Sequence, residues 1–211
     1  FKRLAARIKE TFPRLRITLM MDSLYATGPV FSLCRDNNWD YMINFKEGSI
    51  PTLYEEAEKL MRLTPENTVN REQTYTYVNE VEYEYLNGGT GKKNRLKLNM
   101  VKCQEEWTEQ KADGTKEKKE TTYVWLSPKK FTEKNVFRRC TLIGRYRWQI
   151  ENNILIEKHQ GYGYEHSYAV NVNALKGYHY LSKIAHMIMT LVMMTSGVNE
   201  KDKRDRKKRI Y

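Results

Sequence analysis

Three charged residues in the stretch RYRWQIENNILIEK have a spacing that chemistry could use. Arg147 stands four residues before Glu151, and Lys158 stands seven after it. An α-helix advances about 100° per residue, so with Arg147 as zero Glu151 falls at about 40° and Lys158 at about 20°. The three form one narrow stripe. Trp148 and Leu155 flank it on one side, Ile150 and Ile154 on the other. An ordinary surface helix turns its charges in a broad arc away from the core. A charged stripe between apolar shoulders suits a helix laid along a cleft. The plainer alternative is an Arg–Glu surface pair, worth roughly a few tenths of a kcal/mol.

Asp22 is the second candidate. The apolar run Ile17–Met21, which lacks alternation, predicts a strand buried on both faces that ends at Asp22. A short helix opens at Gly28-Pro29, and WDYMINFK predicts a second strand ending at Lys46. Strand, helix, strand is a parallel βαβ unit. Ligands of open α/β sheets bind at the carboxyl ends of such strands, where Asp22 and Lys46 both lie. A turn-forming aspartate after a strand is the common alternative. Mg²⁺ or Mn²⁺ takes oxygen ligands, and two-metal phosphoryl sites share several carboxylates. Asp22 and Glu151 together would supply two.

The remaining elements follow from local pattern. FKRLAARIKETFP predicts an amphipathic helix stopped by Pro13, with no apolar stretch of the signal-peptide kind. Another helix runs from Pro51 through Leu60. TYTYVNEVEYEYL, RLKLNMVKC and TTYVWL predict strands, separated by the turn clusters NGGTG and ADGT. Residues 70–127 therefore suggest an antiparallel β meander inserted into an α/β domain. Helical pattern returns after Pro128. A Gly- and Tyr-rich loop, HQGYGYEHSY, precedes a long helix from Ala174 to Met194. Its apolar run, Ile184–Met194, is too short for a bilayer span of about 20 residues and predicts a core helix. NEKDKRDRKKRIY is a basic, frayed tail.

Bulk properties restrict the partners. The formal net charge of +11 over 211 residues points to a polyanion, nucleic acid first and an anionic membrane surface second. Hydrophobic content of 40% suffices for a core. Cys34, Cys103 and Cys140 form no C-x-x-C pair, which fits free buried thiols in a reducing compartment. His159 and His166 lack zinc-like spacing. No phosphate-binding loop, dinucleotide fingerprint or nucleophile elbow occurs.

LMMDSLYATGPVFSLCRDNNWDYMINFK resembles the second-aspartate region of bacterial insertion-sequence transposases of the DDE type. RYRWQIENNILIEKHQGYGYEH resembles their glutamate helix, in the group with the signature Tyr-x2-Arg-x3-Glu-x6-Lys. Arg147, Glu151 and Lys158 match the last three positions, whereas the tyrosine position falls on Gly144, beside Tyr146. The resemblance implies an α/β fold with a ribonuclease H-like core and an inserted β-rich subdomain. It divides the chain into core (1–69), insertion (70–127), C-terminal helical part of the core (128–198) and basic tail (199–211). It implies a two-metal site with Mg²⁺ or Mn²⁺, in which Asp22 and Glu151 are catalytic, metal-binding carboxylates. Arg147, Lys158 and, at its strand end, Lys46 would contact DNA.

The activity implied is metal-dependent strand cleavage and transfer at insertion-sequence ends. The partner is double-stranded DNA, transposon end and target, held by a homodimer in the bacterial cytoplasm at the nucleoid, with no membrane. The family's first aspartate lies on a strand upstream of everything seen here, and Phe1 is not a translation start. The chain alone is therefore expected to lack one metal ligand, three strands and a DNA-binding segment, and to be inactive by itself. The alternative is a non-catalytic DNA-binding remnant of a truncated element.

Overall fold

A computed structural model describes residues 1–63, 66–70, 73–87, 90–110, 114–159, 162–163 and 166–195. Two compact units are present, Phe1–Arg147 and Trp148–Tyr211. The mixed α/β class expected from sequence is observed.

In the first unit, α1 (Lys2–Thr11) stops at Phe12, ahead of Pro13. β1 (Thr18–Met21), a Ser23–Tyr25 3₁₀ turn, α2 (Gly28–Asp36) and β2 (Asp40–Asn44) form the parallel βαβ unit. Thr18 lies opposite Asp40, and Met21 opposite Ile43. α3 (Pro51–Leu63) leads into β3 (Glu66–Asn70), β4 (Gln73–Leu86), β5 (Lys93–Gln110) and β6 (Lys116–Ser127), which pair antiparallel in succession. β6 also pairs antiparallel with β2, Leu126 on Ile43 and Trp125 on Asn44. The meander and the βαβ unit thus share one six-stranded sheet of order β1-β2-β6-β5-β4-β3. α4 (Val136–Leu142) and a Gly144–Arg147 3₁₀ turn complete the unit.

The sheet is covered on both faces. On one, Ala5 of α1, Phe31 and Cys34 of α2, and Leu53, Ala57 and Met61 of α3 join Tyr41, Ile43, Leu98, Met100 and Leu126. On the other, Val136 and Cys140 of α4 join Met42, Tyr75, Val101, Cys103 and Trp125. β2 sends alternate residues to opposite cores, so its sequence runs apolar without a polar face. All three cysteines are free and buried. Burial pushes the Cys34 thiol up to about 11 and Cys103 up to about 12, the state of inert structural thiols.

Four expectations change. β1 is an edge strand, so Thr18 is exposed, Leu19 and Met20 are half-buried, and only Met21 is buried. β3, polar and short, carried no strand signal. β5 and β6 run well past their alternating stretches, as a polar ribbon pairing Glu106–Gln110 with Lys116–Glu120. In the second unit, α5 (Trp148–His159) and α6 (Val172–Thr195) are helical, but residues Ile184 to Val192 of the apolar run are no core segment. Ile184, Met187, Ile188 and Leu191 remain about half exposed. Gly88 and Gly89 of one turn, Ala112 and Asp113 of the other, Gly161 and the basic tail lie outside the described residues. Among the described residues no helix is long and apolar enough to cross a membrane.

One buried ion pair joins the α4 layer to the sheet. Arg139 Nη1 and Nη2 donate to Asp40 Oδ2 and Oδ1 at 2.9 and 3.0 Å, and Nη2 also donates to Ser127 Oγ at 2.6 Å. Lys129 adds a contact to Asp40 Oδ2 at 3.0 Å. Burial alone would raise the Asp40 pKa, but Arg139 and Lys129 hold the carboxyl below its ordinary range. Its contribution to stability is therefore fully present above the ordinary carboxylate pKa, about 3.9, and is lost as pH falls through the depressed native value. Arg139→Met should cost about 3–5 kcal/mol in urea unfolding at neutral pH, because it leaves a buried carboxylate. Pairing it with Asp40→Leu should restore most of that loss and weaken the acid-induced decline.

Candidate active site

The site is built where β1 and β2 end. Asp22 follows Met21 directly, in extended backbone, and its Oδ1 accepts a 2.8 Å bond from the Ser23 N–H. That bond caps the Ser23–Tyr25 turn and uses only part of the carboxylate's capacity, roughly four lone-pair positions. The side chain is exposed. The turn hands the chain to α2, whose first residue, Gly28, lies flat against the Tyr85 ring of β4. A Cβ at Gly28 would fall inside that ring. The Tyr85 hydroxyl is 2.5 Å from Ser32 Oγ on the same helix. The Asp22 loop is therefore held at both ends, by β1 and by α2. Beside it, β2 passes through buried Phe45 to exposed Lys46, whose carbonyl accepts from the Ser49 N–H at 2.9 Å.

A second segment comes to the same strands. α4, tied to Asp40 by Arg139, delivers the Gly144–Arg147 turn onto β1 and β2. Gly144 is buried against the Trp125 indole, and Trp125 pairs with Asn44, the last residue of β2. Arg145 forms an ion pair with Glu105 and sits 4.9 Å over the Tyr123 ring, which stacks on Trp125. Burial would lower the Arg145 pKa, but the Glu105 carboxylate raises it, so the guanidinium is a fixed structural cation. Arg147, half-buried, ends the turn. Within the first unit, Asp22, Lys46 and the turn that bears Arg147 are all carried by the carboxyl-end region of one parallel strand pair.

The second unit carries Glu151 in the first turn of α5 and Lys158 in its last. Seven residues apart, they share one face, within about 20°. Arg147 does not belong to that helix. It closes a 3₁₀ turn, which rotates by about 120° per residue, so the three-residue stripe reduces to Glu151 and Lys158 on α5. The expected shoulders, Trp148, Ile150, Ile154 and Leu155, are about half exposed.

Sequence reasoning passed over Glu157. It is 6% exposed, its Oε1 and Oε2 accept from Lys183 Nζ at 2.6 and 2.5 Å, and Oε1 lies 2.9 Å from His186 Nδ1. Burial would raise its pKa, but Lys183 and His186 hold the carboxyl below its ordinary value. Nothing in its sequence neighbourhood marks it off from a solvated glutamate.

An acid and a cation follow two adjacent parallel strands, and an arginine turn packed on those strands leads into a helix bearing glutamate and lysine. A family model, the transposase DDE domain, matches residues 1–188. The chain belongs to this family. The matched region takes in Asp22, Lys46, Arg147, Glu151 and Lys158, together with Glu157 and its partners Lys183 and His186. No curated protein matches the chain. Transposases act on DNA. Among the described residues, no three His, Cys, Asp or Glu side chains are grouped so that they could hold a metal ion.

The packing of the arginine turn is open to test. A Cβ at Gly144 would stand 2.8 Å from Cε2 of a Trp125 ring that is 2% exposed and has little room to move. Gly144→Ala should destabilise the protein by about 1–3 kcal/mol, measured by urea unfolding. It should also change the near-ultraviolet circular dichroism of the tryptophans.

Proposed function

We propose that this chain is the catalytic region of a DNA transposase, built on a ribonuclease H-like core, that cleaves and transfers DNA strands at insertion-sequence ends. The observation that carries the reading is the parallel pair β1–β2, with Asp22 and Lys46 at its carboxyl ends and the Gly144–Arg147 turn packed on it. The family match supports the same reading. Asp22 and Glu151 are proposed as metal-binding carboxylates. Arg147, Lys158 and Lys46 are proposed to hold DNA phosphates, where an arginine fork binds in a fixed plane and a lysine acts as a point charge. The boundaries proposed are core 1–69, β-rich insertion 70–127 and helical part 128–198.

The cofactor proposed is Mg²⁺ or Mn²⁺, since carboxylate oxygens suit hard divalent ions. Asp22 and Glu151 are donors of the right type. Two carboxylates do not by themselves complete a two-metal centre, which shares several. The net charge of +11 supports a DNA partner, with an affinity that falls steeply with salt as counterions are released. A homodimer holding paired DNA ends, in the bacterial cytoplasm at the nucleoid, completes the proposal. The second reading is a non-catalytic DNA-binding remnant of a truncated element.

Cleavage of terminal-repeat DNA by the intact protein with Mg²⁺ or Mn²⁺ separates the two. On the first reading, Asp22→Asn and Glu151→Gln each remove charge stabilisation of several kcal/mol, roughly a thousandfold in rate at about 1.4 kcal/mol per tenfold. DNA affinity should stay within about threefold of wild type. Lys46→Ala should weaken binding evenly across sequences and reduce the salt slope by about one. Full cleavage by Asp22→Asn would sink the first reading. Binding without cleavage by the wild-type protein would establish the second.

A further inference from the structure

Glu157 is the single buried residue of α5. Of its apolar side chains, Trp148, Ile150, Ile154 and Leu155 stay about half exposed and Ile156 is partly buried, so none is fully buried. A carboxylate with both oxygens engaged ties α5 to α6. Lys183 Nζ bonds Oε1 and Oε2 at 2.6 and 2.5 Å, and His186 Nδ1 lies 2.9 Å from Oε1. His186 is itself held, its ring 5.2 Å from the Tyr162 ring, and the Tyr178 hydroxyl donates to the Tyr162 carbonyl at 2.5 Å. Charge-assisted bonds are directional, whereas apolar contact tolerates rolling and sliding. Glu157 lies six residues after Glu151 and next to Lys158, on the same rigid cylinder.

We propose that Glu157 is a positioning residue: its bonds to Lys183 and His186 set the roll of α5 about its axis, and so aim Glu151 and Lys158. The inference rests on the proposed function, in which those two residues face metal and DNA. With side-chain tips roughly 5 Å from the helix axis, a roll of about 30° moves them by about 3 Å. A displacement of about 1 Å at a reacting centre can cost a hundredfold in rate. An apolar residue at 157 would bury equally well and specify less, as with buried ion pairs that set register rather than stability.

The test compares Glu157→Gln, Glu157→Lys and the reversed pair Glu157→Lys with Lys183→Glu in the intact protein, with melting temperatures as a folding control. Glu157→Gln should lower kcat for strand cleavage about 10- to 100-fold, with KM for terminal-repeat DNA within about twofold. The reversed pair should recover at least about tenfold over Glu157→Lys alone. A second readout does not require cleavage. A photoreactive label on Lys158→Cys should crosslink to DNA, and adding Glu157→Gln should lower the yield at least about fivefold at equal DNA occupancy. Unchanged kcat and unchanged crosslinking in folded Glu157→Gln overturn the inference, as does a rate loss that merely tracks melting temperature. Glu151→Gln, run in parallel, separates the failures. If it cleaves normally, the proposed function falls. If it is dead while Glu157→Gln cleaves and crosslinks like wild type, only the positioning role falls.

Discussion

The buried Asp40–Arg139 pair is the constraint on which the first unit depends. Asp40 is the first residue of β2, and Arg139 projects from the middle of α4. The same guanidinium holds Ser127, where β6 leaves the sheet. α4 is thereby fixed at the start of β2, and five residues later Gly144 rests on Trp125, opposite the end of β2. The helix conducts the chain along the strand, from its amino end to its carboxyl end. An apolar contact in place of the pair would stabilise the layer as well or better, but it would not select one placement of α4. Where Arg147 emerges depends on that selection.

The strands expected as an insertion do structural work for the same strand ends. β6 flanks β2 and supplies Trp125 as the floor for Gly144. β4 reaches back to α2, with Tyr83 edge-on to Phe31 and Tyr85 against Gly28. A bulge between Val78 and Val81 makes this reach possible by bending the strand. The bulge is pinned from within the sheet, since Asn99 Oδ1 accepts the Glu80 N–H at 3.0 Å and Asn99 Nδ2 donates to the Ser127 carbonyl at 3.1 Å. Glu80 adopts a φ of 61°, uncommon for a residue other than glycine. The loop after β1 therefore rests on residues about 60 positions further along the chain.

What the sequence made legible was local. The βαβ unit, with Asp22 and Lys46 after its strands, follows from apolar runs ended by polar residues and from a Gly-Pro helix start. The long strands of the meander follow from alternation where one face packs on the core. The remainder was set by tertiary neighbours. β1 was expected to be buried because an apolar run does not reveal that its strand lies at a sheet edge. The outer ribbon of β5 and β6 lacks alternation because its side chains face solvent, with no core beneath them. Arg147 was assigned to the α5 helix because a 3₁₀ turn and an α-helix share helix-forming residues and differ in rotation per residue. Glu157 was invisible because its burial is created by Lys183 and His186, more than 25 residues away.

The unit boundary falls between Arg147 and Trp148, inside the Arg-x3-Glu spacing itself. On the proposed reading this has an electrostatic consequence. Each unit carries a cation with its acid: Lys46 and the Arg147 turn with Asp22, Lys158 with Glu151. On that reading each unit carries positive charge that favours a polyanion. A helix anchored by apolar packing alone would give Glu151 no fixed orientation within its own unit. Three charge-assisted bonds at Glu157 give α5 a defined roll before any ligand arrives, which lowers the ordering cost that binding must otherwise meet.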